Sequence, residues 1–104
     1  MCAILGWLNY KEDLTIYQNK FKDMLELMNN RGHDNTGYDF SKNVLLGHKR
    51  LAIIDLENGN QPMKSNEYEI VYNGEIYNTD LLKNDLIKKG ISFNTNSDTE
   101  VILK

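Results

Sequence analysis

Apolar and polar positions alternate in ways that change from segment to segment, and each pattern predicts an element. The opening "CAILGWL" is a short apolar run followed by Asn-Tyr-Lys-Glu-Asp, the profile of a buried strand that ends in a turn. From Asp13, a natural N-cap, apolar residues recur at Leu14, Tyr17, Phe21, Met24, Leu25 and Met28, the spacing of one helix face, and Gly32 is the expected stop. Tyr38 to Phe40 and Val44 to Leu51 then predict two strands joined by Ser-Lys-Asn, a polar turn of hairpin length. The stretch "NGNQPM" breaks the pattern and is expected to be an irregular loop. In "YEIVYNGEIYN" the composition is β-rich, and Asn73-Gly74 predicts a chain reversal because that dipeptide tolerates a left-handed backbone. Asn78 or Thr79 can cap a second helix whose Leu81, Leu82, Leu86 and Ile87 share a face, with Asp85 and Lys89 paired across one turn and Gly90 ending it. "ISF" is expected to be extended. In "SDTEVILK", Ser97 and Glu100 have capping-box spacing, so a third helix starts at Ser97 and is cut short, as in a fragment of a larger unit.

Composition narrows the class. The 104 residues are enough for one domain or part of one, and 40% hydrophobic with 26% charged residues is a globular balance. The longest apolar runs are far below the roughly 20 residues that cross a bilayer, so no membrane partner is expected. The start lacks the basic leader, apolar stretch and small-residue site of a secretory signal, and a single cysteine allows no internal disulfide. Both point to the cytoplasm. A net charge of −3 gives no general attraction to phosphate backbones, although "GHKRL" is locally basic, so nucleic acid is not an expected partner. The histidines, His33 and His48, lack the Cys/His companions of a zinc site and are read as ordinary polar residues, with no metal expected.

Four features could carry chemistry, and each has a plainer alternative. Cys2 stands next to a removable Met1; once exposed, its α-amine, with an unperturbed pKa of about 7.7 to 8.0, would lie beside the thiol as a built-in base. A lone strand cysteine is also an ordinary packing residue. Arg50, near a strand end, suits bidentate contact with a carboxylate or simple solvation. Asp98, in the first turn of a helix, suits an ammonium or the helix dipole alone. Asn73-Gly74 offers a side-chain amide and a backbone N–H of the kind that stabilises an oxyanion, or is only a turn.

Taken in order, Cys2, "RGHDNTG", "LGHKRLAIIDLENGNQPM", "VYNGEIYN" and "SDTEVI" closely resemble the N-terminal glutaminase domain of glutamine-hydrolysing asparagine synthetases. The likeness runs through nearly the whole chain and is weakest in the first helix. Sugar-phosphate and purine-pathway amidotransferases share the leading cysteine and an "SDTE"-like segment but lack "RLAIID…QPM" in this form; they are the alternative, together with a non-catalytic glutamine-binding relic. The resemblance implies a class II glutamine amidotransferase with an α+β N-terminal nucleophile hydrolase fold, a four-layer αββα sandwich of antiparallel sheets, present here in part. It implies that Cys2 is the nucleophile, that Asn73 and Gly74 form the oxyanion hole, that Arg50 binds the substrate carboxylate, and that Asp98 binds its ammonium with Glu75 and the backbone around Ile53. Proline is usual where this chain has His33, and glycine is common at Ala3. The 104 residues match roughly the first half of such a domain, so the piece alone is expected to be inactive. Its implied partners are glutamine and a C-terminal synthetase domain, with a homodimer of the full-length enzyme as a candidate assembly. ATP and Mg would belong to that other domain, because this chain has no Gly-rich phosphate-cradling motif.

Overall fold

The computed structural model describes residues 2–51 and 58–104. Strand β1 (Ala3–Leu8) forms as its apolar run predicts, and it lies antiparallel to β3 (Val44–Arg50), which also pairs with β2 (Asn35–Phe40). The sheet order is therefore β1-β3-β2, with β3 in the centre. A second sheet is the small antiparallel pair β4 (Met63–Ser65) and β5 (Tyr68–Ile70). Asn66, between them, has φ of 54°, a left-handed conformation that asparagine accepts more readily than most residues. Helices α1 (Gln18–Glu26), α2 (Thr79–Lys88) and α3 (Asp98–Leu103) complete an α+β fold with antiparallel sheets. Among the described residues, no helix is long and apolar enough to cross a membrane.

Side chains of a strand point alternately to its two faces, and β3 uses that alternation to separate two environments. Leu45 and Gly47 face α1. Leu45 joins Leu14 and Phe21 in the fully buried core, with Leu5, Trp7, Tyr17, Met24 and Phe40 packed around them. Each such side chain contributes about 1.5–3 kcal/mol of hydrophobic stabilisation. Gly47 lets the helix approach: a Cβ there would lie 2.9 Å from the Phe21 ring and 3.0 Å from Leu25. Lys49 points to the same side and is 1% exposed. Its three ammonium protons find three acceptors, Glu26 Oε1 at 2.7 Å, Thr36 Oγ1 at 2.7 Å and Asn29 Oδ1 at 3.3 Å, so the buried charge is paired and satisfied. The locally basic "GHKRL" thus forms no basic surface: His48, Lys49 and Arg50 are all buried, on opposite faces of one strand.

Several local expectations are corrected. Asp13 does cap a helical start, its carboxylate accepting from the Thr15 N–H at 3.0 Å, but the first turn (Leu14–Tyr17) is a 3-10 helix before α1 begins. A second 3-10 turn, Asn29–Arg31, separates α1 from Gly32, which is extended and needed because a Cβ would lie 2.6 Å from the Lys49 carbonyl oxygen. Met63–Ser65, overlapping the expected loop, is a strand. Asn73-Gly74 is not the apex of a hairpin; β5 ends at Ile70, and among the described glycines only Gly90, at φ 89°, has the left-handed conformation, where it ends α2. Helix α2 forms without a side-chain cap from Asn78, while the Thr79 hydroxyl donates to the Ile76 carbonyl. Its apolar face is not buried, with Leu81 71% and Ile87 50% exposed. "ISF" is irregular. At α3, Ser97 caps as expected, but Glu100 does not close the box: its carboxylate accepts the N–H groups of Asn94 and Thr95, at 2.9 and 2.7 Å, and so folds the preceding loop onto the helix.

Candidate active site

Because β1 and β3 are antiparallel, the start of one lies beside the end of the other. Cys2, just before β1, therefore meets the residues that close β3. Its Sγ–H points to the Leu51 carbonyl at 3.7 Å, and its own carbonyl accepts from Arg31 Nε at 3.4 Å. Arg50, the last residue of β3, is 5% exposed and donates to Asn60 Oδ1 at 2.8 Å. The segment after β5 carries Asn73, Gly74 and Glu75 past this strand end. Asp98, first in α3, is nearly buried and accepts the Ile76 N–H on Oδ2 at 3.0 Å, which ties that segment to the helix.

Cys2, Arg50, Asn73, Gly74, Glu75 and Asp98 all line one cavity of about 460 Å³. Of the residues singled out in the sequence, Ile53 lies outside the described residues. The cavity sets a guanidinium, two carboxylates, a thiol, a primary amide and a backbone N–H around a volume suited to a small polar molecule. A guanidinium and two carboxylates around one volume complement a molecule that carries both a carboxylate and an ammonium.

His48, Gln61 and Thr99 are among the further buried residues that line the same cavity. His48 is fully buried, which corrects its reading as an ordinary polar residue. Its Nε2 lies 3.1 Å from the Tyr72 carbonyl oxygen; a carbonyl only accepts, so the proton is on Nε2 and Nδ1 is a buried acceptor with no partner among the described residues. Burial holds its pKa below the ordinary histidine range; the bond to Tyr72 opposes that shift and the nearby Arg50 charge reinforces it. The imidazole is accordingly neutral at pH 7. Strand alternation could have pointed to His48, two residues before Arg50 and so on its face. Gln61 sits in aperiodic chain, where no pattern marks it.

The whole chain, residues 1–104, matches the model of the glutamine amidotransferase domain. It is 42% identical, over 99% of its length, to asparagine synthetase [glutamine-hydrolyzing] 3 of Bacillus subtilis (strain 168), and it spans 17% of that protein. A probable asparagine synthetase [glutamine-hydrolyzing] of Dictyostelium discoideum is 41% identical over 99% of the chain and 19% of its own length. Asparagine synthetase B [glutamine-hydrolyzing] of Escherichia coli (strain K12) is 37% identical over the same shares. The chain thus spans less than a fifth of these relatives. With a family match over its entire length and a cavity that gathers its distant polar residues, the chain belongs to the glutamine amidotransferase domain family.

Proposed function

We propose that this chain is the glutaminase part of a longer protein, in which Cys2, as an N-terminal nucleophile, hydrolyses the side-chain amide of glutamine and the ammonia serves asparagine synthesis. The observation that carries the reading is the convergence of Cys2, Arg50, Asn73, Gly74, Glu75 and Asp98, drawn from positions 2 to 98, on one cavity. Arg50 pairs with the substrate carboxylate, and Asp98 and Glu75 hold its ammonium. That orientation brings the δ-amide to Cys2. Removal of Met1 frees the α-amine, which takes the thiol proton as sulfur adds to the amide carbon. The electron pair displaced onto oxygen is met by the Asn73 side-chain N–H and the Gly74 backbone N–H. Collapse breaks the C–N bond, the α-ammonium supplies the proton for departing ammonia, and water then cleaves the thioester to glutamate and free thiol.

The four-layer nucleophile-hydrolase sandwich belongs to the same proposal, the two antiparallel sheets here forming part of it. A synthetase domain elsewhere would bind ATP and Mg, and nothing in these residues is assigned to either. The names of the asparagine synthetase relatives favour aspartate as the acceptor over a sugar phosphate or a purine precursor.

N-terminal sequencing of the active protein should begin at Cys2, and a diazoketone analogue of glutamine should alkylate that thiol stoichiometrically. Cys2→Ala should abolish glutamine hydrolysis while free ammonia still supports synthesis. Retained Met1 in an active enzyme, or undiminished glutaminase activity in Cys2→Ala, overturns the proposal.

A further inference from the structure

Tyr72 immediately precedes the Asn73-Gly74 pair, and both of its backbone groups are held by buried side chains. Its N–H donates to Gln61 Oε1 at 2.6 Å, and its carbonyl accepts from His48 Nε2 at 3.1 Å. The other end of the Gln61 amide donates to Thr99 Oγ1 at 3.0 Å, and the Thr99 N–H donates to Ser97 Oγ at 3.2 Å. His48 and Thr99 are 0% and 2% exposed, and Gln61 is 7% exposed. The chain of direct bonds therefore runs from β3, two residues before Arg50, through the backbone before Asn73, to the residue after Asp98. Gln61 is itself braced from behind, because its carbonyl is packed directly against Gly37 of β2.

From this geometry we infer that His48 and Gln61 are positioning residues that clamp the Tyr72 peptide groups and so aim the Asn73 and Gly74 donors, with Thr99 anchoring the clamp to α3. The inference rests on the glutaminase reading. An oxyanion hole works only if its donors are held where negative charge develops, and a misplacement near 1 Å can cost about a hundredfold in rate. The Tyr72 N–H and C=O belong to two successive peptide units, one on each side of its Cα. Gln61 holds the first and His48 the second, so neither unit, including the one that leads into Asn73, can turn without breaking a hydrogen bond to a buried side chain. Ground-state binding through Arg50 and Asp98 depends on side chains that the clamp leaves in place, so its loss falls on the transition state.

The test, made in the full-length protein that carries this chain, measures an aldehyde analogue of glutamine against glutamate. The Cys2 sulfur adds to the aldehyde carbon, the C=O π pair moves onto oxygen and the thiol proton passes to the α-amine, giving a thiohemiacetal whose oxygen occupies the oxyanion position. Gln61→Met and His48→Leu, which keep approximate size but remove the polar contacts, should weaken the aldehyde at least about tenfold and lower kcat per diazoketone-labelled site by a similar factor. Affinity for glutamate and KM for glutamine should change less than threefold. His48→Gln, which can return an N–H near the Nε2 position, should recover most of the loss. Thr99→Val, removing one hydroxyl at unchanged size, should give a smaller loss of the same kind and serves if Gln61→Met does not fold. Variants that are labelled normally and bind the aldehyde as tightly as the parent overturn the clamp alone, as does an equal loss for aldehyde and glutamate. A parent protein that the diazoketone does not label overturns the glutaminase reading, and this inference with it.

Discussion

Gly37→Ala places a methyl carbon 1.7 Å from the carbonyl oxygen of Gln61 and 2.8 Å from its carbonyl carbon. Backbone must then withdraw by more than 1 Å before the contact becomes tolerable, and Gln61 carries with it the bonds to Tyr72 N–H and Thr99 Oγ1. Overpacking of this kind costs about 1–3 kcal/mol, and each of the two strained hydrogen bonds adds about 0.5–1.5 kcal/mol, so the expected destabilisation is about 2–6 kcal/mol. Gly6→Ala is the control. Gly6 also lies in a strand of the same sheet, but its added Cβ would meet only Leu46 Cδ2, at an ordinary 3.8 Å. Alanine should there be neutral or stabilising by up to about 1 kcal/mol, since glycine loses more backbone entropy on folding. Urea denaturation of both variants and the parent, followed by fluorescence and circular dichroism, measures the two values. Equal effects of the two substitutions, or a Gly37→Ala cost below about 1 kcal/mol, would refute the claim that β2 is sterically keyed to the Gln61 peptide.

Arg50→Lys should raise KM for glutamine about tenfold or more, because a compact ammonium cannot reproduce the bidentate fork, whereas Asn73→Ala should act mainly on kcat, by about a hundredfold; steady-state kinetics separate the two. Glu69 is held up to about 7, chiefly by burial and further by a hydrogen bond to the Asp39 carboxylate, against an ordinary value of 4.5. The folded protein therefore binds the proton more tightly than the unfolded chain, so the contribution of this group to stability is greatest below pH 4.5 and is lost as pH rises to about 7. Denaturation midpoints across that window should show this downward component, and Glu69→Gln should remove it; an identical pH profile in the variant would show that Glu69 is not its source.

Elements that bury one continuous apolar face were legible from spacing alone. Leu14, Tyr17, Phe21, Met24 and Leu25 mark the first helical segment, and the β1, β2 and β3 runs mark the sheet that it covers. The Ser41-Lys42-Asn43 link and the Ser97 cap were equally legible, since a turn or a cap is decided within a few residues. The same local logic misjudged Asn73-Gly74. It supplies polar groups to a cavity wall instead of reversing a strand, because no strand pairs beyond it among the described residues. Strand β4 was missed because three residues carry no measurable period.

Local pattern was enough to mark the apolar faces of the first helical segment and of the three-stranded sheet, the Ser97 start of α3, and the identity and order of the groups able to do chemistry: thiol, guanidinium, amide and carboxylates, spread from position 2 to position 98. Chain closure was needed to bring these groups to one cavity, to bury His48, and to let Gln61 join Tyr72 to Thr99. The reason is one of range. Hydrophobic period and capping are properties of neighbouring residues, whereas the antiparallel register that sets Cys2 beside Leu51, and the hydrogen bonds that make a buried amide tolerable, join residues about 40 to 50 positions apart and exist only after the chain has closed on itself.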